Sequence, residues 1–444
     1  MKARYKTVVD ELAHAIRSGK LAAGERLMTH RRLAAEKRIS LATASRVYKE
    51  LEAMGLASGE TGRGTFVRDI TLSPGLGIDQ PAAGPDALDL NFNSPMLPDQ
   101  AGLLREALRQ MARGGDIDAL LRYQPHAGRT ADRECVADYL RRYRLNAGRE
   151  NVLLVSGAQH GLTVAIMAML SPGDVVAVDA LTYPGFKVLA TLFHLELAPI
   201  PVTAAGPDLA ALRQLCQTRR VRAIYTMPTL HNPLGWVLNE TRRRELVAVA
   251  RMHDLLILED AAYAFLVANP PPPLAALAPE RTLYITGFSK SIATGLRVGA
   301  LVAPSRHVPA IERAIRATSW NTPALMTALV CDWIKDGTAA LLEQQKREDA
   351  RRRQRLVRGL KFSPTPAGHE NSYFSWLPLG EEVRAEPVVR LLMDDGISVS
   401  TAAPFSTTAH PPQALRLALG SVSLENLLPA LAKVKAAIEY ARDL

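Results

Sequence analysis

The chain has 444 residues, of which 48% are hydrophobic and 22% are charged, and its formal net charge is +10. The length gives room for more than one hydrophobic core, and the composition is that of an ordinary globular protein, which excludes fibrous and low-complexity chains. The most apolar stretch, residues 162–170, is far shorter than the roughly 20 residues that a spanning helix needs, so we expect no membrane partner.

Residues 1–68 hold most of the positive charge. They contain 14 Lys and Arg against 7 Asp and Glu, so seven of the ten net charges lie in this segment. Such an excess is typical both of a solvated surface and of a nucleic-acid contact, and a motif has to decide between the two.

The same segment has the pattern of a winged helix-turn-helix. Apolar residues recur at helical spacing over residues 5–17 and predict a first helix. A second, short helix is predicted over residues 31–38, and Ser40 is a suitable N-cap for a third helix over residues 41–54. Residues 59–67 predict a β-hairpin that forms the wing.

Helix-turn-helix domains place the N-terminal part of the third helix against base edges in the major groove. We therefore expect Thr43, Ser45 and Arg46 to face DNA, and Arg63 at the hairpin tip suits the minor groove. The apolar side chains of the third helix are predicted to pack inward: Val47, Leu51 and Met54.

This segment resembles the winged helix-turn-helix of GntR-family regulators, in which Leu-Pro-Ser-Xaa-Arg opens the second helix and Gly-Xaa-Gly-Thr-Phe-Val closes the wing. Residues 62–67 match the wing fully, whereas residues 27–31 read Leu-Met-Thr-His-Arg and lack the proline. Leu41 stands where an arginine often follows the serine cap. The resemblance implies DNA binding with base readout through Arg46 and Arg31, at an operator that differs from the commonest pattern. A protein-interaction domain is the alternative.

Residues 69–87 are rich in Pro, Gly and Ala and have almost no periodic apolar pattern, which predicts a linker. Fully extended, about 19 residues reach roughly 65 Å, far enough for the N-terminal domain to rest on a neighbouring subunit. Beyond the linker, residues 151–160 predict a strand that turns into a helix at Gly157, so that the N–H groups of Ala158 and Gln159 form a phosphate-binding helix N-terminus.

Polar and aromatic residues follow three further predicted strands. Tyr183 lies in a Tyr-Pro-Gly turn, where an aromatic is otherwise an ordinary turn residue. Asn232 precedes a proline in a turn after the next strand. Asp260 ends a short buried strand, and Tyr263 follows it. These residues are candidate ligand contacts, because the ends of parallel strands meet at one edge of a sheet.

Lys290, in Gly-Phe-Ser-Lys, is the most informative residue of the chain. A lysine that forms a Schiff base must be neutral when it attacks, so it needs a partly desolvated site near other cations. Arg297 is such a cation and can also hold a phosphate bidentately. A lone Ser-Lys pair is usually a solvated surface feature, but the preceding strand-end residues, in this order, make the combination specific for pyridoxal phosphate chemistry.

From residue 88 to the C-terminus the chain resembles a fold type I aminotransferase domain. The resemblance implies pyridoxal 5′-phosphate as cofactor, with Lys290 forming its Schiff base, Asp260 at the pyridine nitrogen and Arg297 on the phosphate. Arg416 falls where these enzymes hold the substrate carboxylate, and Tyr123 resembles the tyrosine that reaches the neighbouring subunit's cofactor phosphate. The resemblance further implies Asn232 and Tyr263 at the phenolic oxygen, Tyr183 on the ring face, and Gly157, Ala158 and Gln159 in the phosphate turn.

The chain departs from the family pattern at three positions. Gly287 stands where Ser or Thr often touches the phosphate, which shifts that contact to Ser289, Thr286 or the backbone. Leu234 replaces the usual Thr after Asn-Pro, and Ala403 replaces a usual glycine. These changes affect substrate geometry more than cofactor binding.

Two other features are interpreted structurally. Residues 341–360 are rich in Arg and Lys, but intervening acidic residues and terminal leucines favour a solvated helix of the smaller subdomain over a nucleic-acid contact. The three cysteines are scattered and lack metal-ligand spacing, so we expect no metal site and a reducing cytoplasm.

The sequence thus predicts an α/β protein with a winged helix-turn-helix (residues 1–68), a linker (69–87) and a fold type I aminotransferase-like domain (88–444). The last is expected to have a large, mixed, mostly parallel sheet flanked by helices and a smaller C-terminal α+β subdomain. This organisation resembles the MocR subfamily. It implies a cytoplasmic, homodimeric transcription regulator that binds operator DNA and senses an amino compound or pyridoxal phosphate itself. The alternative is an active aminotransferase with an accessory DNA-binding domain.

Overall fold

The predicted fold class is confirmed: a winged helix precedes a domain with a large mixed sheet, mostly parallel and flanked by helices, and a smaller α+β subdomain. The predicted wing-tip residue Arg63, the core residue Met54 and linker residues 69–86 lie outside the described part of the chain. The structure is a computed structural model that describes residues 4–17, 20–22, 24–53, 56–60, 64–67, 87–114, 117–380 and 382–443.

The winged helix is built around a small apolar core. Thr43 N–H donates to Ser40 Oγ (3.1 Å), so the predicted N-cap of the third helix is confirmed. Val47 and Leu51 are fully buried, also as predicted. The two strands of the wing pair antiparallel. The elements are α1 (Arg4–Arg17), α2 (His30–Lys37), α3 (Leu41–Ala53), β1 (Ala57–Glu60) and β2 (Gly64–Val67).

The remaining elements form the large domain and the subdomain. They are, in chain order, β3 (Leu88–Leu90), α4 (Gln100–Gly114), α5 (Ile117–Leu120), α6 (Thr130–Leu140), β4 (Val152–Val155), α7 (Ala158–Met169), β5 (Val175–Asp179), α8 (Pro184–Leu192), β6 (Glu196–Ile200), β7 (Val202–Thr203), β8 (Gly206–Pro207), α9 (Leu209–Thr218), β9 (Val221–Thr226), α10 (Glu240–Met252), β10 (Leu256–Asp260), α11 (Leu274–Leu277), β11 (Thr282–Gly287), α12 (Phe288–Ser291), β12 (Gly299–Val302), α13 (Val308–Thr318), α14 (Ala324–Lys335), α15 (Thr338–Gly359), β13 (Phe374–Pro378), α16 (Ala385–Asp394), β14 (Ile397–Thr401), β15 (Ala414–Ala418) and α17 (Leu424–Asp443).

The central sheet has the strand order β4-β12-β11-β10-β9-β5-β6. β12 runs antiparallel to both neighbours, and the other neighbouring pairs are parallel. Every residue of β4 and β5 is buried, which is expected of strands covered by helices on both faces. The parallel strands therefore end at a common edge, where the predicted site residues follow them.

The subdomain contains a second sheet, ordered β13-β15-β14-β3, so its edge strand comes from the start of the domain. Helix α15 packs in this subdomain. Residues 341–360 were predicted to form a solvated helix, and this prediction is wrong for one face of α15. Glu343, Lys346, Arg353 and Gln354 are buried. Each of the four side chains makes a hydrogen bond to a main-chain carbonyl or a tyrosine hydroxyl of another element, partners that the local charge pattern does not reveal.

The winged helix touches this subdomain. The Arg384 guanidinium, at the N-terminus of α16, lies 4.2 Å from the centroid of the Phe66 ring in the wing. Gly24 approaches Pro387 of α16 so closely that an added Cβ would lie 2.9 Å from its ring. None of the described helices is long and apolar enough to cross a membrane.

A fully buried arginine holds the loop between β9 and α10. Arg243 donates to the carbonyls of Pro228 (2.9 Å) and Leu238 (2.8 Å), near the two ends of that loop. One guanidinium nitrogen lies 4.0 Å from Glu259, whose carboxylate also accepts two N–H groups at the start of α11. Arg243 thereby closes the loop that carries the predicted site residue Asn232.

We predict that Arg243→Met lowers the free energy of unfolding by about 3 kcal/mol, because it leaves a carboxylate and several carbonyls buried without their cation. Arg244→Met is the matched control. Arg244 is the next residue on α10, but it is exposed and pairs with Glu240, a contact worth at most about 0.5 kcal/mol. Urea unfolding of both variants measures the difference, and equal losses would contradict the role of Arg243.

Candidate ligand-binding site

A cavity of about 650 Å³ opens at the carboxyl edge of the central sheet. Open α/β sheets bind ligands outside this edge, because the loops that follow the strands converge there. The cavity is large enough for a cofactor-sized molecule. Most of the predicted site residues line it: Ala158, Gln159, Tyr183, Asn232, Asp260, Tyr263, Ser289, Lys290, Arg297 and Arg416.

Lys290 lies on α12, immediately after β11. Its half-buried amine donates a hydrogen bond to the main-chain carbonyl of Asn93. Asn93 belongs to residues 91–94, between β3 and α4, which also line the cavity. This segment was not predicted from the sequence, because a main-chain acceptor leaves no mark in the side-chain pattern. The amine is therefore anchored from across the cavity.

An anion cradle lies beside Lys290. Arg297 adopts the left-handed conformation (φ +51°), and its guanidinium donates to Ser289 Oγ at 3.0 Å. Gly157 caps α7 with φ +87°, and a Cβ added there would lie 2.7 Å from Arg297 Nη2. The N–H groups at the start of α7, the hydroxyl and the guanidinium together suit a phosphate group.

Asp260 presents a carboxylate at the end of β10 and is 4% exposed. It accepts hydrogen bonds from the Tyr225 hydroxyl (2.8 Å) and from Ala262 N–H (3.0 Å). Burial raises the pKa of Asp260, and these two hydrogen bonds oppose that shift by stabilising the carboxylate. Tyr225 was not predicted as a site residue, because it lies within a strand whose pattern indicates only core.

Arg416 lies on β15 and is 5% exposed. Its Nη1 donates to the carbonyl of Asn91 (2.9 Å), and its guanidinium lies between the rings of Phe374 (5.1 Å) and Phe405 (5.7 Å). Burial lowers the pKa of Arg416. Nε has no hydrogen-bond partner among the described residues. A buried guanidinium with an unused donor, at a cavity, suits a ligand carboxylate.

Three further predicted residues line the cavity: Tyr183, Asn232 and Tyr263. Burial raises the pKa of Tyr183, so its hydroxyl stays neutral. Tyr263 is mostly buried and packs edge-on against Phe374, with 5.2 Å between the ring centroids. The predicted roles of these three residues toward a bound ring stay predictions.

Other predicted residues lie outside the cavity. Tyr123 is 87% exposed, and its ring packs against Trp320 at 5.6 Å between centroids; its role at a neighbouring subunit's cofactor stays a prediction. Thr286, named as a substitute phosphate contact, donates instead to the carbonyl of Ala261 at 3.5 Å. Gly157 is not on the cavity wall, but it lies directly against the Arg297 guanidinium of the anion cradle.

The predicted DNA contacts lie on α2 and α3. Arg31 is exposed in the first turn of α2. Thr43 and Ser45 are half-buried in the first turns of α3, and the Thr43 hydroxyl shares a hydrogen bond with the Ser40 hydroxyl (2.8 Å). Arg46 is exposed, and its guanidinium lies 4.2 Å from the centroid of the Tyr5 ring. The guanidinium would have to leave this ring in order to reach a base.

The cavity fits the pyridoxal 5′-phosphate that the sequence resemblance implies. Arg297 and the α7 N-terminus suit its phosphate, Asp260 a cationic ring nitrogen, and the Lys290 amine an aldehyde. Within the described residues, Oδ1 of Asn232 and Nε of Arg416 are buried without a partner at this cavity. The chain thus offers a group for the phosphate, for the ring nitrogen and for the aldehyde.

Comparisons with known proteins agree with the resemblances found for the N-terminal segment and for the larger domain that follows it. Residues 85–434 match the family model for aminotransferase class I and II, and residues 4–67 match that for bacterial regulatory proteins, gntR family. The chain is 27% identical over 418 residues to the uncharacterized HTH-type transcriptional regulator YdeF of Bacillus subtilis, covering 94% of this chain and 90% of that protein. It is 25% identical over 398 residues to 2-aminoadipate transaminase of Thermus thermophilus, covering 87% and 97%.

The fold also matches solved structures. An archaeal alanine:glyoxylate aminotransferase superposes with a TM-score of 0.74 at 23% identity, over 80% of this chain and 92% of that chain. At this level of identity the likeness establishes the fold alone.

We predict that Gly157→Ala weakens the binding of pyridoxal 5′-phosphate by roughly tenfold or more. Alanine is strained at φ +87°, and its Cβ would push Arg297 out of the cradle. Gly295→Ala is the matched control, because Gly295 lies two residues from Arg297 and has open space around an added Cβ. Equilibrium titration by absorbance measures both affinities. An equal loss in the two variants would contradict the cradle.

Proposed function

Since the chain belongs to the aminotransferase class I and II family and carries a GntR-type helix-turn-helix domain, we propose that it is a pyridoxal-phosphate-dependent transcription regulator of the MocR type. The observation that carries the proposal is the convergence of Lys290, Asp260, Arg297 and Arg416 on one cavity, in a chain whose positive charge is concentrated in its DNA-binding segment. The ligand is then a signal for DNA binding.

The cofactor would be held by groups of complementary charge. When bound, pyridoxal phosphate supplies an aldehyde that condenses with amines and a ring that withdraws electrons. The Lys290 amine, tethered to the Asn93 carbonyl, is the nucleophile for that aldehyde. Asp260 would face a protonated ring nitrogen, and the hydrogen bond from Tyr225 orients its carboxyl group. Arg297 would offset the charge of the phosphate, and the hydroxyl of Ser289, which lies 3.0 Å from the guanidinium, would donate a hydrogen bond to it.

Arg416 selects the second ligand. Its unused Nε and the two aromatic rings beside its guanidinium suit a flat carboxylate that is shielded from water. The ligand would therefore carry both an amine, for exchange with the Lys290 amine, and a carboxylate. An amino carboxylate is the class of effector that this pairing favours.

Ligand binding reaches the DNA-binding domain through the subdomain. Arg416 lies on β15 of the subdomain, and Arg384 of the same subdomain contacts Phe66 of the wing. A ligand that draws Arg416 toward the large domain would move the surface against which the wing rests. Such coupling requires that the ligand bind one arrangement more tightly than the other.

The assembly is proposed to be a homodimer that acts on chromosomal DNA in the cytoplasm and binds two operator half-sites. Leu121 and Tyr123 are 81% and 87% exposed, and Met96 is 66% exposed. Large apolar side chains at such exposure are typical of a surface that a second subunit covers. Tyr123 of one protomer would then face the partner's site.

A second candidate function is transamination. The cavity retains an amine, a ring carboxylate, a phosphate cradle and a carboxylate-binding arginine, all of which turnover needs. The similarity to 2-aminoadipate transaminase spans both chains nearly in full. Turnover and regulation differ in one observable, which is whether a keto acid accumulates in step with consumption of the amino compound.

We predict that the purified protein retains a DNA fragment from upstream of its own gene, and that ligands change the affinity by roughly 5- to 150-fold. The titration is made at one stated salt concentration, because phosphate contacts make the affinity strongly salt-dependent. It compares protein alone, protein with pyridoxal phosphate, and protein with both pyridoxal phosphate and an amino acid. Lys290→Ala should bind the DNA but lose the response.

The outcomes separate the alternatives. A response to pyridoxal phosphate alone makes the cofactor the signal, whereas a response that needs both ligands identifies an amino-compound sensor. Absence of specific DNA binding together with keto-acid production would favour the aminotransferase and contradict the proposal.

We predict that Arg416→Met abolishes the response to amino acids, because it removes the carboxylate partner but keeps a side chain of similar length. Binding of pyridoxal phosphate should change by less than about threefold, since Arg416 lies apart from the phosphate cradle. A simple alkylamine without a carboxylate is the ligand control, and it should act equally on both proteins. Retention of the amino-acid response in the variant would remove Arg416 from its proposed role.

A further inference from the structure

A second lysine is buried behind Lys290. Lys346 of α15 is fully buried. Its Nζ donates to the main-chain carbonyls of Lys290 (3.0 Å) and Ile292 (2.6 Å). Gln100 of α4 also donates to the Ile292 carbonyl, at 2.9 Å. These contacts hold the main chain at and just after Lys290, whose side chain lines the cavity.

We propose that Lys346 is a positioning residue for Lys290: it fixes the turn through two carbonyls and, by its positive charge, favours the uncharged Lys290 amine. The inference rests on the proposed binding of pyridoxal phosphate at Lys290. A Schiff-base lysine must be neutral to attack, and an adjacent cation is one of the ways in which proteins achieve this. Arg297, the cation suggested by the sequence, bonds to Ser289 in the phosphate cradle instead.

The charges around Lys346 act on it in opposite directions. Burial and the charge of Lys290 lower the pKa of Lys346 to about 7, and the carboxylates of Asp349 and Glu343 oppose that shift. Asp349 pairs with Arg353 at 2.7 Å, and Glu343 accepts hydrogen bonds from two tyrosine hydroxyls. Lys346 and the half-buried Lys290 therefore repel each other when both are charged.

Lys346 has partners that favour its charged form. They are two carbonyl acceptors and two nearby carboxylates on its own helix, whereas the Lys290 amine has the Asn93 carbonyl. A positive charge at Lys346 disfavours a second positive charge at Lys290, because like charges repel.

The test is the rate at which the full-length protein captures pyridoxal 5′-phosphate, followed by visible absorbance as a function of pH. In this step the Lys290 nitrogen bonds to the aldehyde carbon and the aldehyde oxygen leaves as water. The rate rises with pH as the amine loses its proton. In Lys346→Met we expect capture at neutral pH to slow by roughly tenfold and the rising part of the profile to move up by about one pH unit.

Two further variants separate charge from packing. Lys346→Arg keeps the charge and the donors, so its profile should stay within about 0.3 pH unit of the original protein. Lys346→Gln keeps a donor without a charge, so its profile should move as in Lys346→Met. If Lys346→Met fails to fold by circular dichroism, the Arg and Gln variants decide alone. A profile that stays in place in Lys346→Gln, or moves equally in Lys346→Arg, overturns the inference.

The same experiment keeps this inference apart from the proposed function. If the original protein captures no pyridoxal phosphate, the proposed function fails and the inference fails with it. If the original protein captures it and the profile of the neutral variants is unchanged, only the role of Lys346 is wrong.

Discussion

The register of the central sheet is the constraint on which the site depends. Glu259 and Asp260 are consecutive residues at the end of β10, where Glu259 pairs with Tyr284 and Asp260 with Ile285 of β11. Because side chains alternate across a strand, Asp260 faces the cavity while Glu259 faces Arg243 and the start of α11. A slip of one residue would exchange the two carboxylates. The register that aims Asp260 at the cavity therefore also gives the buried Glu259 its partners, Arg243 and two N–H groups of α11.

Cations that are buried or half-buried hold main-chain carbonyls at several places in this domain. Arg243 closes the loop of Asn232, Lys346 holds the turn of Lys290, and Lys187 donates to the carbonyls of Pro404 (2.7 Å) and Ser406 (2.5 Å) on either side of Phe405. A buried charge costs stability unless its partners are well placed. Here each cation orders a segment that reaches the cavity, so the cost is offset by a site that is ordered before a ligand binds.

Regulation requires that the site and the DNA-binding segment share a movable part, and the subdomain has that position. It contributes Arg416 to the cavity and Arg384 to the contact with the wing. The strand β3, which begins the domain, pairs with β14 in the same sheet, and residues 91–94 lead from it along the cavity. The subdomain therefore contacts both the ligand cavity and the wing. Through these two contacts, binding of an amino carboxylate can change the position of the wing.

The amino-acid sequence by itself determined the fold class, the winged helix with its Ser40 cap, and ten of the residues that line the cavity. It could do so because side chains after parallel strands converge at one edge, and because helix and strand periods are local properties. It misjudged α15, whose mixed charges suggested a solvated surface. Only the tertiary structure decided the partners of Lys346, the Tyr225–Asp260 hydrogen bond and the anchoring of Lys290 on Asn93. These contacts join residues that are 35 to 197 positions apart, and two of them end on main-chain carbonyls, which every residue type provides. A hydrogen bond to such an acceptor leaves no trace in the sequence, so its geometry exists only once the elements have packed.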